Sequence, residues 1–152
     1  MTRRDFAAGV IKGLGAEVTL HTRRASQAQL QTEGGDAENN PYNTILKMPG
    51  STDYNFIRPG IAVQNYVSPK QGQEATIKTF KGKGHGYEKI IHLMKINAPA
   101  TQICIAIIES DWGTGEAVDK DGDYLLLAVL SDIKHNRAPN TLAQLEAREI
   151  AS

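Results

Sequence analysis

A mainly helical α+β fold follows from three features of the sequence. Apolar residues recur at helical spacing over the first fourteen residues and again from Ser68 onward. Between these stretches, from Gly34 to Tyr66, asparagine, glycine, proline and serine interrupt every helical period. Inside that irregular stretch, two short runs with strand character flank an Arg58-Pro59-Gly60 turn. Helices before and after one small β element make the α+β arrangement. A length of 152 residues suits one domain, residues 1–152, around one core.

The elements are expected as follows. Thr2 and Asp5 form a capping pair for a first helix to about Leu14, with Phe6, Val10, Ile11 and Leu14 on one face. Thr22 is expected to cap a second helix that runs to about Glu33 and stops at Gly34-Gly35. This helix is poor in large apolar residues, with mainly Ala25, Ala28 and Leu30 to bury. Thr52 to Asn55 and Ile61 to Tyr66 are the expected strands. Ser68-Pro69 then supplies a cap and a first-turn proline for a helix to about Phe80. A glycine-rich link, Gly82 to Gly86, leads to a helix from Tyr87 to Ile96. Pro99 opens another to about Glu109, apolar enough to be central. Tyr124 to Lys134 and Thr141 to Ile150 complete the helical set.

Composition excludes several classes of function. Seventeen basic and seventeen acidic residues cancel, so there is no electrostatic drive toward nucleic acid or an anionic membrane. No apolar run is long enough for a signal peptide or a membrane span, which predicts synthesis in a cytoplasm without export by a leader. The one cysteine, Cys104, lies in an apolar run and reads as a small buried residue rather than a nucleophile. His21, His85, His92 and His135 lack metal-ligand spacing, and Asp119 to Asp123 fails the calcium-loop pattern, so neither metal nor cofactor is expected.

The most informative local feature is Glu33-Gly34-Gly35. A helix C-terminus disfavours negative charge, which raises a carboxyl pKa and suits a general acid. The glycines allow a sharp turn and would leave room beside the carboxyl group. On these local grounds alone the stronger reading is an ordinary solvated glutamate before a glycine stop.

Four motifs extend the picture: Glu33-Gly34-Gly35, Asn39-Asn40-Pro41-Tyr42-Asn43-Thr44, Pro49 to Asn55, and Val63-Gln64-Asn65-Tyr66. In this order and spacing they resemble the lysozyme-like domain of actinobacterial phage lysins and virion-associated peptidoglycan-cleaving proteins. Gln73 to Thr79 and Tyr87 to Ile90 resemble that family's later helices. The chain departs from the family at Ile45 and in the longer, more apolar tip Tyr54 to Ile61.

The resemblance implies a cleft between a helical half and a small β-hairpin, with Glu33 as proton donor to a glycosidic oxygen. It implies that Asn40 and Asn43 hold the cleft loop and touch N-acetyl groups, and that Tyr42 and Tyr66 offer apolar faces to sugar rings; for Tyr42, packing of the loop on the core is an equally open reading. The implied substrate is the glycan strand of peptidoglycan, cut by hydrolysis or transglycosylation. The implied setting is a host cell wall, reached through a holin or within a virion beside other virion proteins.

A second carboxylate is the usual companion of such an acid, and Asp53 is the best-placed candidate, ahead of Asp36. Two alternatives stand beside this reading. One is a virion or wall-binding component with the same fold and little activity. The other takes Glu109 as the acid, since Glu109-Ser110-Asp111-Trp112-Gly113 resembles the catalytic-helix end of bacterial glucosaminidases. Against it, the loop and β element follow Glu33 and not Glu109, which leaves Trp112 as a cleft-wall or core aromatic.

Overall fold

The computed structural model describes residues 1–33 and 35–111, without the side chains of Ala28, Gln31, Thr32, Glu33 and Ile108. Trp112, the acidic Asp119 to Asp123 segment, His135 and the two last expected helices lie outside the described residues. Within them the order is α1 (Arg3–Gly13), α2 (Leu20–Glu33), β1 (Thr52–Arg58), β2 (Ile61–Asn65), α3 (Pro69–Phe80), α4 (Tyr87–Lys95) and α5 (Ala100–Glu109). This is a mainly helical α+β arrangement with one two-stranded antiparallel sheet.

Local chemistry sets most of the helix ends. The Thr2 hydroxyl accepts from the Asp5 amide and the Asp5 carboxylate accepts from the Thr2 amide, closing a capping box at the start of α1. Ser68 accepts from the Gln71 amide, with Pro69 in the first turn of α3. One end differs from expectation. The hydroxyl that accepts the Thr22 amide is that of Thr19, so α2 begins at Leu20 and Thr22 lies inside it. Thr22 is fully buried and turns its own hydroxyl back to the Glu17 carbonyl.

The core gathers Phe6, Val10 and Ile11 of α1 and Leu14 at its C-cap with Phe80 of α3, Tyr87, Ile90 and Met94 of α4, and Ile103 and Ile107 of α5. Cys104 is buried among them. The central helix α5 packs against both α2 and α4, while α1 packs on α2 and α3. The face that α2 turns inward is partly polar: Thr22, Ser26 and Gln29 are buried beside Ala25 and Leu30. A helix short of large apolar residues thus still has a buried stripe, at the spacing of one helical face.

The hairpin is longer than the sequence predicts. β1 continues three residues past Asn55 to Arg58, and only Pro59 and Gly60 separate the strands. Gly60 takes the left-handed backbone (φ +79°) that this tight turn requires. Two register shifts, between Asp53 and Asn55 and between Phe56 and Arg58, bend the ribbon. Phe56 and Ile57 are more than 60% exposed at its tip, while Ala62, Val63 and Gln64 of β2 are buried.

Candidate active site

Between α2 and β1 the chain runs back over itself, and this loop organises the site. Gly35 lies beneath the Asn40 and Pro41 carbonyls, each 2.7 Å from where a side-chain β-carbon would stand. Here glycine serves close backbone approach. The Gly35 carbonyl is taken up by the Arg3 guanidinium of α1 at 2.7 Å. At Gly72 of α3, a β-carbon would collide with the Asn39 carbonyl, so α3 packs directly on the loop.

Asn40 is the hub of this loop. It is fully buried, and its amide nitrogen donates to the carbonyls of Thr44 (2.8 Å) and Gln64 (2.9 Å). Its amide oxygen accepts from the Thr44 amide at 2.9 Å and lies 3.0 Å from the Thr44 hydroxyl. The loop is further zipped to β2 by Glu38 amide to Asn65, by Asn39 side chain to the Tyr66 carbonyl, and by the Gln64 amide to the Thr44 carbonyl. Asn39 and Asn43 both hold left-handed backbone (φ +57°), which asparagine tolerates better than other side chains.

The loop, the hairpin and the helical half enclose a cleft of about 940 Å³. Asp36, Tyr42, Asn43 and Lys47 line it from the loop, Tyr54, Asn55 and Ile57 from β1, and Ile61 and Val63 from β2. The facing wall is Lys78 and Thr79 near the end of α3, His85 in the link to α4, Tyr87 at the start of α4, and Asp111 after α5. The volume lies at the upper end of the roughly 300–1,000 Å³ usual for ligand sites.

The expected site residues divide. Glu33 is the last residue of α2. Its side chain lies outside the description. Tyr42 and Asn43 both line the cleft. Tyr42 is only 2% exposed: its ring packs near Phe6 and edge-on to Phe80, and its hydroxyl bonds the Ser26 side chain of α2. Burial pushes the Tyr42 phenol pKa well above its ordinary value.

Asn40 and Tyr66 are placed behind the cleft wall rather than on it. Tyr66 is buried, donates to the Leu46 carbonyl at 2.6 Å and meets the Thr44 hydroxyl at 2.8 Å. Burial raises its phenol pKa as well. Asn40 holds the cleft loop, and its four contacts are all within the protein. Asp53 accepts from the Gln64 side-chain amide at 2.7 Å and lies 3.9 Å from the Lys47 ammonium. It is absent from the described lining of the cleft. Glu109 is exposed, pairs with Lys89 at 3.6 Å and is likewise absent from that lining. Trp112 lies outside the described residues.

Several lining residues were not singled out from the sequence, among them Tyr54, His85, Tyr87 and Asp111. His85 and Asp111 are 26 positions apart, and only the fold shows that they meet. Among the described residues no cluster of three or more potential ligands could hold a metal ion, and no helix is long and apolar enough to cross a membrane. Comparison with protein-family models, with curated proteins and with solved structures gives no match for this chain.

Proposed function

We propose that this chain cleaves the glycan strands of peptidoglycan between N-acetylmuramic acid and N-acetylglucosamine, with Glu33 as general acid. The observation that carries the reading is the cleft between the hairpin and the helical half, entered by the loop that leaves the C-terminal end of α2. Ser26 of α2 is bonded to the cleft-lining Tyr42, which ties that helix to the cleft.

In this reaction the Glu33 carboxyl passes its proton to the leaving glycosidic oxygen while positive charge develops at the anomeric carbon. A water molecule, or the muramoyl hydroxyl, completes the bond at that carbon. The placement of Asp53, held by Gln64, favours a structural role for it over that of a partner carboxylate. The outward ion pair of Glu109 favours Glu33 over Glu109 as the acid.

Turbidity of purified cell walls tests the assignment. Wild type should clear the suspension, Glu109→Gln should clear it equally, and Glu33→Gln should lose about 10²-fold or more in rate. Clearing that survives Glu33→Gln rejects Glu33 as the acid.

One observation favours a second reading. Tyr54, Phe56 and Ile57 expose a run of large apolar side chains on β1, which suits a wall-binding or virion component with little activity. Retention on insoluble peptidoglycan without release of new glycan ends would distinguish it.

A further inference from the structure

The helical wall of the cleft carries a histidine that the fold holds in place from three sides. His85 Nδ1 lies 2.9 Å from Asp111 Oδ2, and the Asp111 amide donates back to the His85 carbonyl at 2.9 Å. The imidazole also stacks on the Tyr87 ring, with centroids 5.3 Å apart and planes 25° from parallel. Gly86 between them takes a left-handed backbone (φ +83°), and a β-carbon there would press on Ser110. His85 and Asp111 are therefore docked to one another by backbone as well as side chain.

Such restraint is unusual for a surface histidine that is half exposed. Facing a carboxylate, Nδ1 is the donor, which makes Nε2 of the neutral ring a hydrogen-bond acceptor. Among the described residues no hydrogen bond occupies Nε2. Tyr87 covers one face of the ring, and His85, Tyr87 and Asp111 all line the cleft. Across the cleft, Tyr54 of β1 presents a second, half-exposed aromatic ring. An aromatic face combined with a fixed acceptor is the pairing that a sugar ring needs, since its C–H face is apolar and its hydroxyls donate.

We infer that His85, oriented by Asp111 and Tyr87, is a carbohydrate-contacting residue of the cleft that accepts a hydrogen bond from a sugar hydroxyl through Nε2. Asp111 is its positioning residue. The inference rests on the glycan reading of the cleft and adds a subsite on its helical wall.

The test is a titration of the full chain with the tetramer of N-acetylglucosamine, followed by imidazole and tyrosine ring NMR resonances. His85 and Tyr54 should shift together with one midpoint. His85→Phe keeps a stacking ring and loses Nε2, and should weaken binding about tenfold, the size of one hydrogen bond. Its thermal midpoint should stay within about 2 °C of wild type, since the residue is half exposed. Asp111→Ala should weaken binding while leaving the Tyr54 shift in place. If Tyr54 shifts and His85 does not, or if His85→Phe binds as wild type, the inference is overturned and the glycan reading stands. If neither ring responds, the glycan reading fails and takes the inference with it.

Discussion

Replacing Asn40 by alanine removes the hub on which the cleft loop is hung. Three of its contacts, to the Thr44 carbonyl, the Gln64 carbonyl and the Thr44 amide, lie between 2.8 and 2.9 Å. The Thr44 carbonyl keeps a partner in the Gln64 amide, and the Thr44 hydroxyl keeps Tyr66. The Thr44 amide loses its acceptor at a buried position. At about 1 kcal/mol for each of three bonds, the expected loss is roughly 3 kcal/mol. For a chain of this size that is a fall of roughly 6–12 °C in thermal midpoint. Circular dichroism gives the midpoint, and amide hydrogen exchange at Thr44 reports the loop itself. Protection at Thr44 should drop by more than it does in α1. A loss under about 1 kcal/mol, or unchanged Thr44 protection, would refute the role of Asn40 as the loop's anchor. A variant that kept its stability and lost only glycan affinity would return Asn40 to the sugar-binding role that the family resemblance implies.

Two further substitutions probe the frame. Gly72→Ala puts a methyl group against the Asn39 backbone carbonyl and should cost at least about 2 kcal/mol by urea unfolding; a neutral effect would mean that α3 does not pack on the loop as described. Tyr42 and Tyr66 have phenol pKa values raised by burial, so the neutral forms are favoured in the folded state. Their contribution is fully present below the ordinary phenol value near 10 and is lost as pH rises toward the folded values. Urea midpoints at pH 9 and pH 11 should therefore fall at the higher pH, with a smaller fall for Tyr42→Phe. Equal slopes for wild type and Tyr42→Phe would contradict the burial of that hydroxyl.

Much of the fold is legible in sequence where the signal is local. The Thr2 and Asp5 box, the Ser68-Pro69 start and the Pro59-Gly60 turn each depend on residues within four positions of one another. The start of α2 is less legible because Thr19 and Thr22 are both good caps, and only the hydrogen bond between them decides which one caps. The length of β1 is hidden because none of its side chains is buried, so no alternation marks the extension from Phe56 to Arg58.

The site divides along the same line. Tyr42 and Asn43, in the motif from Asn39 to Thr44, both line the cleft. Asn40 shares that motif and Tyr66 lies in the Val63 to Tyr66 motif, yet both face inward, since their partners at Gln64, Thr44 and Leu46 come together only when the loop lies on β2. Asp53 is drawn off by Gln64 in the same way. The meeting of His85 and Asp111 depends on where α5 ends relative to the α3–α4 link, a long-range fact without a local sequence mark.

The central claim is that this cleft breaks glycosidic bonds with a proton from Glu33. Mass spectrometry of the soluble fragments released from purified peptidoglycan tests it most directly. Wild type should release disaccharide-peptide units ending in a reducing or anhydro muramoyl group. Glu33→Gln, with unchanged thermal midpoint and retained binding to the N-acetylglucosamine tetramer, should release none above background. Equal release of those fragments by both proteins, or none by wild type on a substrate that it binds, would contradict the claim.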